Sequence, residues 1–199
     1  MTTAPAPQTR KRPARQRAVA SADRLFYERG VHAVGVDQIT EDAGISKASL
    51  YTHFRTKDDL VVNYLVGRSD AWQEHVEAEL PKRATTPGDR AVAVFDLLGE
   101  WFDEPGYRGC PFINVEAEFG HDHPSHDVTL AHRTWVRELF TSLLREADVD
   151  EPELGALELC LLYDGAMACA QADPSRPWAQ AAGRTARRIV ARPGTPASK

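Results

Sequence analysis

The chain has 199 residues, of which 42% are hydrophobic, and this suits one medium-sized domain or a small domain joined to a larger one. No apolar run approaches the roughly 18 residues of a membrane helix, the N-terminus lacks the apolar core of a signal peptide, and three cysteines without paired spacing form no disulfide framework. These features argue against membrane proteins and disulfide-rich secreted proteins, so we expect a cytoplasmic protein with no membrane partner.

The net charge of −5 is divided unevenly along the chain. Residues 1–57 hold ten Lys and Arg against five Asp and Glu, whereas the remaining residues hold fourteen against twenty-four. A basic N-terminal part is attracted to the phosphate backbone of nucleic acid, and an acidic remainder is repelled from it, which favours one docking orientation. The acidic residues also form ordinary solvated helix faces.

Residues 1–13 mix Pro, Ala, Thr and basic residues, a composition that buries too little apolar surface to fold, so we predict a disordered basic tail. Its cations either follow DNA phosphates, enter an adjacent minor groove, or only keep the chain in solution.

From Arg15 to Arg29 the apolar residues repeat at helical spacing, and Gly30 follows them, which predicts the first helix.

Two short helices joined by a tight turn are predicted over residues 36–57, VDQITEDAGISKASLYTHFRTK. Ile39 and Ala43 lie four residues apart on one face, and Gly44 suits the positive φ that ends the first helix. Ser46 is a good N-cap for the second helix. Together these features are typical of a helix-turn-helix.

The second helix, Lys47 to about Phe54, exposes hydroxyl groups, a cation and aromatic rings, which suits a helix laid in the major groove of DNA. An ordinary helical hairpin with a polar face is the alternative interpretation. We expect Ser49 and Thr52 to face base edges. Contacts mainly to phosphates are expected from Lys47, Tyr51, His53 and Lys57.

The stretch AGISKASLYTHFRTKDDLV, with AVASADRLFYERGVHAVGVDQITEDAG before it, resembles the DNA-binding segment of TetR-family transcriptional regulators. The resemblance covers about residues 15–65 without an internal gap, and the rest of the chain is similar only in its helical layout. It implies an all-helical homodimer that binds operator DNA and is released by a small-molecule effector. Gly35 departs from the family pattern, which usually has Ser or Thr there, so this N-cap offers no hydroxyl to a backbone N–H or a phosphate.

The expected fold is therefore all-α, with about nine helices. Its predicted parts are the tail 1–13, a three-helix helix-turn-helix domain 14–57, an effector-binding and dimerisation domain 58–192, and a tail 193–199. The predicted function is that of a repressor that binds a pseudo-palindromic operator. Its expected partners are double-stranded operator DNA, a second copy of the chain and an unknown small-molecule effector, with no cofactor.

A long helix is predicted from Lys57 to about Leu80, with Thr56 as its cap and Pro81 as its end. Because it begins beside the helix-turn-helix and continues far beyond it, we expect this helix to link the two domains mechanically. The next helix is predicted over residues 87–102, where Pro stands at the helix entry and one apolar stripe follows.

The C-terminal part is predicted to hold the effector pocket and the dimer interface. The expected aromatic walls of the pocket are Trp72, Phe95, Trp101, Phe112, Phe119 and Trp135, with Asn114 or Glu116 as polar anchors. A helix is predicted over residues 151–172. The residues on its apolar side become smaller toward the C-terminal end, which allows another helix to approach closely. This side, with Leu161, Gly165 and Ala168, is the predicted dimer interface.

No catalytic signature occurs in the sequence: there is no Gly-rich phosphate loop, GxSxG, HExxH or CxxC. His121, His123 and His126 carry ligand atoms for Zn or Ni, but neither partner cysteines nor an HxxxH run fixes their geometry, so a polar loop without metal is favoured.

Cys110 is either a sensing thiol at a helix start or a small packed side chain. A metal- or thiol-sensing regulator remains the alternative function, and a helical enzyme or carrier without DNA binding is the least favoured.

Overall fold

The computed structural model describes residues 13–192, and every regular segment in this range is helical. The helices described there are α1 (Ala14–Arg29), α2 (Val36–Ala43), α3 (Lys47–His53), α4 (Lys57–Arg83), α5 (Pro87–Phe102), α6 (Pro111–Phe119), α7 (Ser125–Glu146), α8 (Pro152–Ala172) and α9 (Trp178–Val190). None of them combines the length and hydropathy that a bilayer crossing requires. The all-α fold is confirmed, whereas the tail at 193–199 and all but the last residue of the tail at 1–13 lie outside the described residues.

Helix α4 differs from its prediction at the C-terminal end, because it continues through Pro81 to Arg83. Proline cannot donate a backbone hydrogen bond and its ring crowds the preceding turn, but Pro81 lies only two residues before the end of the helix. The backbone N–H of Ala84 still donates to the carbonyl oxygen of Leu80 at 3.1 Å. The prediction that Pro81 ends this helix is therefore wrong.

The described residues form two compact units, and the boundary between them lies at Tyr64 and Leu65, inside α4. In the first unit α1 packs against α2 and α3. The buried core of this unit includes Leu25, Phe26, Val34, Ile39, Leu50, Phe54 and Leu60. The ring of Phe26 meets that of Tyr64 edge to face, with 5.7 Å between centroids. A domain boundary after residue 57, at the start of α4, stays a prediction.

Two polar side chains of α1 form hydrogen bonds with the C-terminal end of α2. Arg17 Nη1 donates to the carbonyl oxygens of Ala43 and Gly44, at 2.6 and 2.8 Å. These carbonyls have no partner within their own helix, so the guanidinium supplies the missing donor. Ser21 Oγ donates to Asp42 Oδ2 at 2.6 Å, and this hydrogen bond lowers the pKa of Asp42. The two contacts set the position of α2, and with it the turn that leads into α3.

The second unit is organised around α5, whose apolar residues are buried against α7, α8 and α9. The rings of Phe95 and Phe140 are stacked in this core, with centroids 6.1 Å apart. Helix α9 approaches α5 so closely that a Cβ atom on Gly88 would lie 2.5 Å from Val190 Cγ1. The interior therefore depends on glycine at this position.

Candidate functional site

Helix α3 is fixed by local contacts at its start and by burial on one side. Gly44 ends α2 at φ 61°, a backbone region that glycine enters without steric cost. Ser46 Oγ then accepts a hydrogen bond from the backbone N–H of Ser49 at 3.1 Å. Leu50 is buried in the core of the first unit. The predicted turn and cap are both confirmed, and the opposite face of α3 is exposed to solvent.

The exposed face of α3 presents the side chains that were predicted to contact DNA. Tyr51 is 48% exposed, Thr52 and His53 are also exposed, and Ser49 is half-buried. Thr52 Oγ1 donates its hydrogen to the carbonyl oxygen of Ala48 at 2.9 Å, so its oxygen has lone pairs to accept another hydrogen bond. Such an acceptor matches the amino group of adenine or cytosine in the major groove.

Two lysines that were predicted to contact phosphates have partners within the first unit. Lys47 forms an exposed ion pair with Asp37 of α2, and its hydrogen bond to this carboxylate raises the pKa of Lys47. Lys57 Nζ donates to the carbonyl oxygen of Val31 at 2.6 Å and lies 5.9 Å from the centre of the Phe26 ring. A DNA phosphate must therefore compete with a carboxylate for Lys47 and with a backbone carbonyl for Lys57.

The turn between α3 and α4 adds an exposed cation, Arg55. The backbone N–H groups of Arg55 and Thr56 both donate to Asp59 Oδ2, at 2.8 and 3.1 Å. In return Thr56 Oγ1 accepts from the backbone N–H of Asp59 at 3.0 Å, which confirms the predicted cap of α4. These bonds fix the backbone of the turn that carries Arg55, two residues after the end of α3. Sequence pattern alone did not single out this residue, although its charge was the available signal.

The second unit contains a cavity of about 260 Å³. Its walls come from α4, α5, α6, α7 and α8 and from the loop after α5. The lining includes the aromatic residues Trp72, Trp101, Phe112 and Tyr163, the polar residues Arg68, His75, Glu100, Glu104 and His132, and Cys110 and Met167. A largely apolar cavity with a few polar groups is the usual form of a small-molecule site.

Three of the predicted wall residues, Trp72, Trp101 and Phe112, line this cavity. The rings of Trp72 and Trp101 have centroids 5.7 Å apart, so two segments 29 positions apart in sequence meet in one wall. The other predicted pocket residues, Phe95, Asn114, Glu116, Phe119 and Trp135, do not line it. Sequence pattern alone did not single out the polar lining residues Arg68, His75, Glu100, Glu104 and His132.

These five other residues make their contacts elsewhere in the second unit. Phe95 is buried against Phe140, and Phe119 stacks on His123 with 4.0 Å between centroids. Asn114 Nδ2 donates to the carbonyl oxygen of Arg108 at 2.8 Å. Glu116 Oε1 lies 2.7 Å from His126 Nδ1. The ring of Trp135 is tilted against that of His132, with 6.1 Å between centroids. A stripe of apolar residues indicates burial, but it does not say which buried side chains border a cavity.

His132 is the cavity residue with the most defined surroundings. Its ring stacks on Phe112 with 3.9 Å between centroids, and burial lowers its pKa to about 4. Ser69 Oγ accepts from Gln73 Nε2 at 2.8 Å and lies 3.0 Å from His132 Nδ1. Through this contact Ser69 and Gln73 orient the imidazole at its Nδ1 side. His132 therefore brings a neutral, polar ring to the cavity wall.

Two further groups in the lining are already restrained by their surroundings. Burial raises the pKa of the Cys110 thiol to about 11, so the thiolate form is scarce at neutral pH. Glu100 accepts two hydrogen bonds from Arg83, at 2.6 and 2.9 Å, and this contact lowers the pKa of Glu100. The cavity thus contains a buried neutral thiol and a carboxylate that is already paired.

Helix α8 has apolar residues on two sides. One side is buried in the second unit, with Leu159, Tyr163 and Met167 among its members. The other side is exposed and apolar and contains Leu154, Leu157, Leu161, Gly165 and Ala168, of which Leu161 is 74% exposed. A Cβ atom added to Gly165 would meet no heavy atom within 4 Å. We refer to this second side as the outer face of α8.

A family model described as bacterial regulatory proteins of the tetR family matches residues 18–64. Among solved structures, SCO4454, a TetR-family transcriptional regulator from Streptomyces coelicolor, has a TM-score of 0.78 at 34% identity, over 89% of this chain and 92% of that one. Among curated proteins, the transcriptional repressor KstR2 of Mycolicibacterium smegmatis is 28% identical over 160 residues, which cover 79% of this chain and 77% of KstR2. The transcriptional activator FasR of the same species is 34% identical over 99 residues, and that alignment spans 43% of FasR.

Proposed function

Because this chain belongs to the TetR family of bacterial transcriptional regulators, as its sequence resemblance predicted, we propose that it binds a pseudo-palindromic operator through α3 and is released by a small molecule. Regulators of this family bind operator DNA as dimers and respond to small-molecule effectors, and they are not enzymes. The assignment of particular residues, of the repressor role and of the effector class to this chain is our proposal. Its cytoplasmic location follows from the proposed DNA partner.

The observation that carries this proposal is the exposed face of α3. The helix begins at a formed cap, its buried side is anchored by Leu50, and its other side offers hydroxyl, imidazole and phenol groups to solvent. A rigid helix with such groups suits direct contact with base edges, because hydrogen-bonding groups distinguish the four base pairs in the major groove. Thr52 and Ser49 are the proposed base contacts.

We propose that the phosphate contacts come from Lys47, Tyr51, His53, Lys57 and the additional Arg55. Phosphate contacts fix the register of the protein on the duplex but carry no sequence information. Since Lys47 and Asp37 are both exposed, their ion pair is weak and can open when a phosphate approaches. The carbonyl contact of Lys57 restrains that side chain more firmly, so Lys57 is the weakest member of this set.

The cavity of the second unit is the proposed effector site. Its aromatic rings favour an apolar or flat ligand, and the neutral imidazole of His132 favours a ligand that also carries a hydrogen-bonding group. A volume of about 260 Å³ limits the ligand to a small molecule unless the walls move. We propose a repressor rather than an activator, because the similarity to the repressor KstR2 extends over more of the chain than that to FasR.

Helix α4 offers the route by which the effector acts on DNA binding. Leu60 and Tyr64 are buried in the first unit, whereas Trp72 and His75 line the cavity of the second. A ligand that displaces Trp72 therefore acts on the same helix whose first turns pack in the DNA-binding unit. Small shifts of packed helices are a common way to switch such proteins.

The alternative of a thiol sensor receives no support from Cys110. A sensing cysteine reacts as its thiolate, and the raised pKa of Cys110 keeps the sulfur protonated. Cys160, on α8, also has a pKa raised to about 11 by burial. A small-molecule effector in the cavity therefore accounts better for the structure than oxidation of either thiol.

Thr52→Ala tests the proposed base contact. We expect this variant to lose affinity for operator DNA and to keep its affinity for unrelated DNA, because a base contact is worth about 1 to 3 kcal/mol only on the right sequence. The measurement is fluorescence anisotropy with both duplexes at one salt concentration. Thr141→Ala is the matched control, since Thr141 Oγ1 makes the same type of hydrogen bond, to the carbonyl oxygen of Arg137 at 2.8 Å, on a helix of the second unit. Equal losses on both duplexes would remove Thr52 from the set of base contacts.

A further inference from the structure

The turn between α6 and α7 gathers three side chains that suit a metal ion. Glu116 lies near the end of α6, His121 lies in the turn, and His126 lies in the first turn of α7. Glu116 Oε1 is 2.7 Å from His126 Nδ1 and 3.6 Å from His121 Nε2. All three potential ligand atoms lie within 4.8 Å of one another. Among the residues that the structure describes, this is the group of metal-ligand type that converges in this way.

The backbone of the turn brings these groups together. Gly120 ends α6 at φ 73°, and its backbone N–H donates to the carbonyl oxygen of Glu116 at 2.9 Å. The backbone N–H of His126 donates to the carbonyl oxygen of His123 at 2.9 Å, which closes the turn at the start of α7. As a result the rings of His121 and His126 stack with 4.5 Å between centroids, beside the carboxyl group of Glu116.

The third histidine of the sequence cluster is turned to other partners. The ring of His123 stacks on Phe119 with 4.0 Å between centroids. His123 Nδ1 lies 2.7 Å from Ser125 Oγ and also accepts from the backbone N–H of Ser125 at 3.2 Å. The fold therefore replaces His123 of the predicted cluster with Glu116, which lies five positions before His121.

We propose that Glu116, His121 and His126 bind a divalent transition-metal ion, with Zn²⁺ as the best fit. Two imidazole nitrogens and one carboxylate oxygen form a donor set that suits zinc, with metal–ligand bonds of about 2.0 to 2.2 Å. Around one tetrahedral ion such ligand atoms lie about 3.3 Å apart, and the distances of 2.7 and 3.6 Å fall on either side of that value. The nitrogen atoms of the two histidines lie within 4.8 Å of each other, so side-chain rotation would bring all three ligand atoms onto one ion.

Two features of the donors support this assignment. Glu116 Oε1 faces both histidines, whereas Oε2 is buried and has no hydrogen-bond partner among the described residues, and a cation bound to this carboxyl group would offset the cost of burying it. His121 is 79% exposed and lies in the turn, so it can close over an ion that Glu116 and His126 have already bound. Three protein ligands leave a fourth position for water, which makes the site accessible to exchange.

The bound metal would tie the end of α6 to the start of α7. Phe112 lies one helical turn before Glu116 on α6, and its ring stacks on His132 of α7 in the cavity wall. The ion would therefore fasten the same two helices that hold this stacked pair together. The proposed metal site is distinct from the proposed effector cavity, and its test does not require DNA.

The test is calorimetric titration of Zn²⁺ into the full-length chain without an affinity tag. We expect one ion per chain for the wild type and at least about tenfold weaker binding for His121→Ala, whose exposed side chain is not needed for folding. His123→Ala is the matched control and should keep the wild-type affinity. Mg²⁺ should not bind, because it prefers oxygen ligands in octahedral geometry.

A second readout uses Co²⁺ in place of Zn²⁺, because its visible absorption reports four-coordinate binding. We expect these bands in the wild type and in His123→Ala, and their loss in Glu116→Gln and His126→Ala. Zn²⁺ should also raise the melting temperature of the wild type but not of His121→Ala, since ligand that binds the folded state stabilises it. Equal zinc affinity of the wild type and His121→Ala, or equal loss in His123→Ala and His121→Ala, would overturn the proposed ligand set.

Discussion

At the scale of single residues, the side chains with two possible partners determine how this protein responds to its surroundings. Lys47 is the first example, because it pairs with Asp37 in the free protein and is proposed to pair with a phosphate on DNA. Asp37 raises the pKa of Lys47 in the free protein, and a phosphate would favour the charged ammonium in the same way. What changes on binding is its partner and not its charge.

Lys47→Ala should weaken binding to operator and to unrelated DNA alike. A single phosphate contact contributes about one unit to the dependence of log affinity on log salt concentration, so we expect the slope to fall by about one. The measurement is a salt titration of DNA binding with both duplexes. An unchanged slope would mean that Lys47 keeps its contact with Asp37 on DNA and makes no phosphate contact.

His132 acts through its burial, which couples the stability of the second unit to pH. Its folded-state pKa of about 4 lies below the ordinary value of 6.5. Between these values the unfolded chain binds a proton that the folded chain does not, so the free energy of unfolding falls as the pH is lowered through this window. Above pH 6.5 the imidazole is neutral in both the folded and the unfolded chain, so it no longer lowers the free energy of unfolding.

The expected loss from His132 between pH 7.5 and pH 5 is about 2 kcal/mol. Denaturant unfolding followed by tryptophan fluorescence measures it, since all four tryptophans belong to the second unit. His132→Gln should lose correspondingly less stability over the same interval. The exposed His53 provides the control, and His53→Gln should behave as the wild type does. A wild-type pH dependence in His132→Gln would contradict burial of this imidazole as the cause.

At the scale of helices, local signals in the sequence were sufficient for the DNA-binding unit. The caps at Ser46 and Thr56 and the positive φ of Gly44 depend on residues within three or four positions, so they could be predicted. Gly35 lacks a capping hydroxyl, and its local contact is a different one, in which its own N–H donates to Gln38 Oε1 at 2.8 Å.

The cavity and the cluster at the α6–α7 turn depend on contacts that a helical pattern does not specify. Trp72 and Tyr163 have rings 6.5 Å apart, although 91 positions separate them in sequence. Asn114 or Glu116 was expected as a polar anchor of the pocket, but Glu116 meets His126 across the turn that begins at Gly120. Periodicity identifies the buried face of a helix, whereas the neighbour of that face is set by the whole chain.

Helix α8 gives the prediction that belongs to this scale. Its outer face has exposed leucines beside Gly165, and we propose that this face packs against a second copy of the chain. Gly165→Arg should therefore give a monomer on size-exclusion chromatography, and this monomer should lose operator binding. Gly67→Arg is the matched control, because Gly67 is also helical and exposed with no heavy atom within 4 Å of an added Cβ. A dimeric Gly165→Arg protein would remove the outer face of α8 from the interface.

At the scale of the whole molecule, release of DNA by a small molecule requires that effector and operator influence each other. Linkage makes this influence reciprocal: operator DNA must weaken effector binding by the factor by which effector weakens operator binding. A screen for effectors by thermal shift is sensitive enough to find the ligand, because a concentration of one hundred times the Kd adds about 2.7 kcal/mol of stability.

Trp72→Ala should bind operator as the wild type does but require more effector for release. The indole forms part of the cavity wall on α4, so its loss reduces effector affinity and the displacement of this helix. Trp135→Ala is the control, since Trp135 does not line the cavity. The readout is the effector concentration that releases half of the bound operator. Wild-type release by Trp72→Ala would show that this wall of the cavity takes no part in the response.

Selection of binding sites from a pool of random duplex DNA tests the central claim most directly, because it requires neither a known operator nor a known effector. We expect the wild-type pool to converge on two half-sites related by two-fold symmetry, with two chains bound per site and a preference of at least about a thousandfold over random DNA at one salt concentration. Thr52→Ala should shift the selected base at one position of each half-site. A pool that never converges, or a single half-site bound by one chain, would contradict the role of α3 as the reading helix of a dimeric regulator.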